Sequence, residues 1–328
     1  MVTIQTFDKM GEGKTYTELF VAQRPAGNLS LPVVVLKGRQ AGPTLTIVAG
    51  IHPTEYAGIE AALRFAHETD AADVNGTVII VPFLNLAGFN SRTPGGSPED
   101  MVDVWRVFPG NTVSSITYTV AHEFFQRVVR HSDALIDLHG GELNESAAVP
   151  LAWYPVTGHT ETDEKSRALA EAFQPDYLVD ASKIWMDDQP TTLPNGLLIH
   201  EAATNRIPSI IGEAGGAGRS SEAGADRLYA GLVNCCQSLG LLPGARPASK
   251  VPVLKDLTLL GVRVDGLLYC TATAGERVSK GQGLAEVRSW EGKVLQRISA
   301  PFDGIVTITV NWFPVRSGEY ALAMARIA

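Results

Sequence analysis

His52 and Glu55 stand three residues apart in GIHPTEYAG, just after an apolar β-branched run and at the start of an amphipathic segment. A neutral imidazole and a carboxylate held in this way can grip one zinc ion, provided a third ligand arrives from elsewhere. His139, which closes another strand-like run in ALIDLHGGE, is the candidate third ligand. Two histidines and one glutamate leave a fourth position open for water, and zinc lowers the pKa of that water toward ~7 and polarises a carbonyl. A hydrolytic site then needs a second carboxylate to take the water's proton and pass it to the leaving nitrogen. Glu213 in IIGEAGG is the candidate, with flanking glycines expected to let substrate approach the backbone closely. Asp137, two residues before His139, shares its strand face and is expected to support that ligand from behind.

The elements around these residues predict how they meet. PTLTIVAG (43–50), GTVIIVPFLN, ALIDLHGG and IPSIIGEAGG read as short buried strands. Residues 54–69 carry apolar positions at helical spacing behind Thr54, a residue type suited to a cap, which puts Glu55 one turn into a helix. KSRALAEAFQP and ADRLYAGLVNCCQSLG read as further helices. Strands alternating with helices predict an α/β domain with a mixed central sheet and flanking helices. In such sheets ligands gather beyond the carboxyl ends of the strands, where His52, His139 and Glu213 are expected to lie. After LGLLPGARPASK, a Pro- and Gly-containing linker candidate, the texture changes to short alternating strands with frequent glycine turns. The predicted division is residues 1–246 for the hydrolase domain and 247–328 for a small all-β domain.

Composition narrows the function. The chain has 328 residues, a 45% apolar fraction and a formal charge of −8, which argues against nucleic acid or an anionic membrane as the main partner. Three cysteines, two of them adjacent, give no disulfide framework and no metal spacing. No secretory pattern is visible, no apolar run reaches the ~20 residues of a membrane span, and the expected location is cytoplasmic. GEGKT (11–15) lacks the earlier glycine of a phosphate loop, since Asp8 stands there. EAGGAG lacks dinucleotide-site spacing, and no Gly-x-Ser-x-Gly elbow occurs.

In order along the chain, AGIHPTE, VPFLNLAGFNSR, DVWRVFPG, DLHGG and IIGEAGG together resemble the succinylglutamate desuccinylase/aspartoacylase family, whose fold is zinc carboxypeptidase-like. The match covers residues 30 to about 235. The tail is similar to the biotinyl/lipoyl-like β-domain of one bacterial branch, that of N-acetyl-diaminobutyrate deacetylases. The resemblance implies one Zn2+ per chain held by His52, Glu55 and His139, with Glu213 as general base. It implies that Arg92 polarises the scissile carbonyl and that Arg106 holds a substrate carboxylate, for which a guanidinium suits a bidentate contact. The implied activity is a zinc-dependent deacylase acting on a small N-acyl amino acid or N-acylated amine.

The sequence departs from the family pattern at three points. Pro53 replaces the glycine after the first histidine, and the loop after Arg92 is longer. Trp105 stands where the family has an asparagine that helps bind the substrate carboxylate, and offers instead an apolar or cation-binding face. Two rival readings accompany the deacylase: a metallocarboxypeptidase acting on peptides, and a non-catalytic biotinyl/lipoyl-like carrier or interaction protein. A carrier needs a lysine between hydrophobic or acidic neighbours at a hairpin tip, and Lys293 in VRSWEGKVL lacks that setting. The tail is therefore read as a structural module that shapes the cleft or makes a homo-oligomer contact.

Overall fold

The computed structural model describes residues 10–24, 27–182, 184–187, 189–191, 196–219, 222–245 and 250–327. Asp8 and residues 246–249 of the predicted linker lie outside them. Strands β1 (Gly13–Arg24), β2 (Gly27–Lys37) and β3 (Gln40–Ala49) open the chain, so GEGKT leads into a strand and not a phosphate loop. Helix α1 (Tyr56–Glu68), β4 (Asn75–Val81), α2 (Leu86–Ser91), α3 (Ile116–Arg127) and β5 (Ala134–His139) follow. Then come β6 (Glu145–Tyr154), α4 (Thr160–Phe173), β7 (Tyr177–Asp180), β8 (Ile184–Met186), β9 (Gln189–Thr191), α5 (Leu198–Thr204), β10 (Ser209–Gly216) and α6 (Glu222–Ser238). The remaining strands are β11 (Val253–Gly261), β12 (Gly266–Cys270), β13 (Arg277–Val278), β14 (Gly283–Arg288), β15 (Val294–Ser299), β16 (Gly304–Val310), β17 (Pro314–Val315) and β18 (Tyr320–Ile327).

The two-residue period of the strands sorts the core into two layers. Leu45, Ile47 and Ala49 of β3 join Ile136 and Leu138 of β5 on the face covered by α1, α4 and α6. Val48 and Leu135 point the other way, toward Phe124 and Phe125 of α3 and Leu198 of α5. Burying each such side chain favours folding by about 1.5–3 kcal/mol. β3, β5 and β10 run parallel in the middle of the sheet, and β6 joins antiparallel beyond β10. This is the mixed α/β sheet with flanking helices that the sequence predicts. Helices α2, α3 and α5 are absent from that prediction, because short or weakly amphipathic stretches carry little period of their own.

Residues 253–327 are strand and turn throughout, but only β12, β14, β15 and β17 form a sheet of their own. β16 pairs with β6, while β11 pairs with β7 and β8, so the tail continues the central sheet. The tail is thus physically part of the wall around whatever lies at the end of β6.

Two local details correct the sequence reading. Glu55 is the N-cap residue of α1 and not a residue one turn inside it, and Thr54 makes no capping hydrogen bond. Gly212, beside Glu213, leaves room for the Phe173 ring rather than for substrate: a Cβ there would come within 2.5 Å of that ring. At Gly58 the absence of a side chain lets α1 lie against β5, since a Cβ would meet the Leu138 carbonyl oxygen at 2.9 Å. That close approach brings the start of α1, with Glu55, to the end of β5, with His139. Gly58→Ala should therefore lower stability by about 1–3 kcal/mol, measured as a shift in the denaturation midpoint; an unchanged midpoint would show that the contact is slack.

Candidate metal centre and active site

His52 follows β3 in a turn, Glu55 caps α1, and His139 is the last residue of β5. Their ligand atoms all fall within 4.8 Å of one another, so these three side chains could hold a metal ion. The detail is orderly. His52 Nδ1 lies 2.8 Å from Glu55 Oε1, and His139 Nδ1 lies 3.0 Å from Glu55 Oε2. The Gly140 backbone N–H donates to Glu55 Oε2 at 3.0 Å. On the far side of each ring another carboxylate waits. Asp137 Oδ2 is 3.0 Å from His139 Nε2, and Asp103 Oδ1 is 3.6 Å from His52 Nε2.

This arrangement fits a divalent cation. Both rings turn Nδ1 toward one carboxylate and Nε2 toward another, which without a cation would ask each ring to carry two protons. A metal at the Nδ1 side leaves each Nε2–H to serve its own carboxylate, the usual support for a metal-bound histidine. Asp137 is completely buried, and neither of its oxygens nor His139 Nε2 has an aligned hydrogen bond, so among the described residues His139 is the one group beside it to balance its burial. The local field agrees. Burial pushes the His139 imidazole down, but Asp137 and Glu55 outweigh it and raise its pKa to about 10. Burial likewise pushes Glu55 up, yet the two histidines hold it down at about 2.

Glu213 pairs in register with His139 across the parallel β10–β5 ladder. It lies inside β10, not past its end, and a bulge follows between it and Gly215. Burial, with the Glu55 charge behind it, raises the Glu213 pKa to about 7, so the carboxyl is poised to exchange a proton near neutrality. The Trp153 indole N–H donates to Glu213 Oε2 at 2.7 Å and fixes that oxygen.

One cavity of about 480 Å³ contains all of this, lined by His52, Glu55, His139 and Glu213 and also by Trp105 and Arg106. Trp105 sits edge-on to His52 with ring centroids 5.5 Å apart. The Arg106 guanidinium lies over the Trp105 ring at 5.1 Å and its Nε donates to Asp103 at 3.1 Å. The cation-binding face expected of Trp105 is thus partly met by its own neighbour. Arg92 is the exception. It is exposed at the C-terminal end of α2 and lines a separate groove with Tyr56 and Phe89, so the structure does not bring it to the metal centre. From the TPGGSPED loop that follows, Gly95 reaches the cavity, its N–H donating to Glu142 at 2.7 Å.

Asp103, Glu142, Glu145, Trp153 and Tyr320 line or support the site and were missed in the sequence reading. Asp103 had one available signal, its place three residues before Arg106. Tyr320 had none, because it arrives from β18 to donate its hydroxyl to Glu145 on β6.

Comparison with known proteins agrees with this geometry. Residues 41–239 match the model of the succinylglutamate desuccinylase/aspartoacylase catalytic domain. The chain is 30% identical over 270 residues to N-alpha-acetyl-L-2,4-diaminobutyric acid deacetylase of Halomonas elongata, covering 80% of this chain and 75% of that protein. Product-bound ectoine utilization protein EutE (DoeB) from Ruegeria pomeroyi superposes with a TM-score of 0.81 at 26% identity, over 97% of this chain and 96% of that one. A succinylglutamate desuccinylase from a Silicibacter species shares the fold with a TM-score of 0.83 at 24% identity, over 97% and 96% of the two chains.

Asp137→Asn should keep the fold and weaken zinc binding about 10- to 100-fold, read by competition with a chromogenic chelator. Unchanged affinity would mean that Asp137 does not support His139. Taken together, the ordered motifs, the cavity and these matches show that the chain belongs to the succinylglutamate desuccinylase/aspartoacylase family.

Proposed function

We propose that this protein is a zinc-dependent deacylase that hydrolyses the amide bond of a small N-acyl amino acid or N-acylated amine. The observation that carries the reading is the convergence of His52, Glu55 and His139 around one point in the cavity that also holds Glu213. His52 and His139, through Nδ1, and Glu55 would hold the metal. When bound, zinc supplies Lewis-acid polarisation of the carbonyl and acidifies water.

The chain's own residues do the rest. Glu213, ionised near neutral pH, takes the proton of the attacking water; one carboxylate oxygen is held by Trp153 and the other is free for that work. The same carboxyl then gives the proton to the departing nitrogen, which leaves as an amine. Arg106, next to the centre, holds a carboxylate on the amine half of the substrate when one is present, in competition with Asp103. Arg92 has no part in this scheme, since it lines another groove. Residues 1–246 supply the ligands and the base, and residues 247–328 act as a structural appendage similar to biotinyl/lipoyl-like domains that caps the cleft. Its contribution to the cavity, Leu257, Leu259, Ile308 and Tyr320, favours a small substrate over a peptide chain. No helix among the described residues is long and apolar enough to cross a membrane.

Glu213→Gln should retain bound zinc by elemental analysis and lose about 10²- to 10⁴-fold in kcat on N-acetylated amino acids and diamines. A variant with normal turnover would remove Glu213 from its role. Chelation of the wild type should abolish turnover and added zinc restore it; activity that survives complete metal removal would refute the zinc reading.

A further inference from the structure

The strands that enter the cavity from the C-terminal half are apolar where they face it. Leu257 and Leu259 are two apart on β11 and so share a face, and they pair with Ile184 and Met186, two apart on β8. Leu259 is also opposite Ala323 on β18, which in turn is opposite Ile308 on β16. Ile308, Ala323, Leu259 and Met186 therefore make one lateral row across four adjacent strands, with Leu257 and Ile184 beside it. All of these except Ala323 line the metal-centre cavity.

The charges in that cavity are one-sided. Beyond Glu55, its described lining includes the carboxyl groups of Asp103, Glu142, Glu145 and Glu213 against one guanidinium, Arg106, which Asp103 already engages. A second anionic group on the substrate, placed away from Arg106, would face these carboxyl groups with no further Lys or Arg among the described lining residues to meet it. An acetyl group, for its part, would offer one methyl to a wall of five large side chains. A cavity of about 480 Å³ has room for more, within the ~300–1,000 Å³ typical of small-molecule sites.

We propose that the acyl half of the substrate is an uncharged aliphatic chain longer than acetyl, seated on the face formed by Ile184, Met186, Leu257, Leu259 and Ile308, and that dicarboxylic acyl groups are rejected there. This rests on the deacylase reading above and names its acyl specificity. The chain lies along the row, its methylenes losing contact with water, while the amide remains at the metal centre and the amine half faces Arg106. Specificity then comes from the C-terminal strands, whereas the chemistry comes from the N-terminal ones.

The test uses the full zinc-loaded chain and a series of Nα-acyl-L-2,4-diaminobutyrates carrying acetyl, butanoyl, hexanoyl or succinyl groups. Dissociation constants are measured by calorimetry on Glu213→Gln, so that binding is read whether or not the wild type turns over. The expected result is binding that tightens about fourfold per added methylene, with succinyl weaker than butanoyl. Ile308→Ala and Leu259→Ala should flatten the series, weakening the hexanoyl compound more than the acetyl one, and Leu259→Lys should reverse the order of butanoyl and succinyl. Affinity independent of chain length, failure of the hexanoyl compound to bind, or tightest binding of the succinyl compound overturns the proposal. Wild-type kcat/KM over the same series judges the deacylase reading separately, since a chain that binds in the expected order but is never hydrolysed would refute that reading alone.

Discussion

A single carboxylate, that of Glu55, lies between two imidazoles, and most of the site's geometry follows from it. Each oxygen meets a different ring, and the Gly140 N–H fixes one of them. To hold that carboxylate in a buried place, the fold must bring the start of α1 against the end of β5, which it does across Gly58. It must also supply the other faces of the rings, which it does with Asp137 on β5 itself and with Asp103 on the turn leading to Trp105. Three carboxylates and two imidazoles gathered in so small a volume would be costly as an uncompensated group. The arrangement makes sense as the surroundings of a divalent cation.

The second consequence of burial is the state of Glu213. Burial and the nearby Glu55 charge together disfavour charge on this neighbouring carboxyl and raise its pKa to about 7. Trp153 anchors one oxygen without neutralising the group. Two glutamates on adjacent elements are thereby pushed in opposite directions, Glu55 toward permanent ionisation and Glu213 toward proton exchange. Their division of roles is set by neighbours and not by residue type.

The C-terminal strands give the cavity a different character on another side. Because β16, β18 and β11 extend the central sheet, their alternation presents a continuous apolar row to the site, and Tyr320 ties the tail to Glu145. An appendage on a flexible tether could close over a cleft only loosely. Strands hydrogen-bonded into the same sheet hold their side chains in fixed register with those of β5, β6 and β10.

The local patterns were sufficient to single out the three side chains that the fold brings together. His52 and His139 stand at or just after apolar runs whose length marks buried parallel strands, Glu55 follows His52 by three residues, and parallel strands all deliver their carboxyl ends to one rim. Glu213 was legible as a candidate from the same kind of run, although it lies inside its strand and not beyond it. What the pattern could not hold is anything that depends on where a loop goes or how distant strands pair. Arg92, at the end of α2, lines another groove while Gly95 of the loop after it reaches the cavity, a matter of chain path that residue spacing does not encode. Asp103, Glu142 and Tyr320 acquire meaning only through neighbours up to 175 residues away. Side-chain chemistry and strand period are local properties and belong to the sequence; the charge environment, the apolar wall and the place of the tail arise from long-range pairing, which only the folded chain decides.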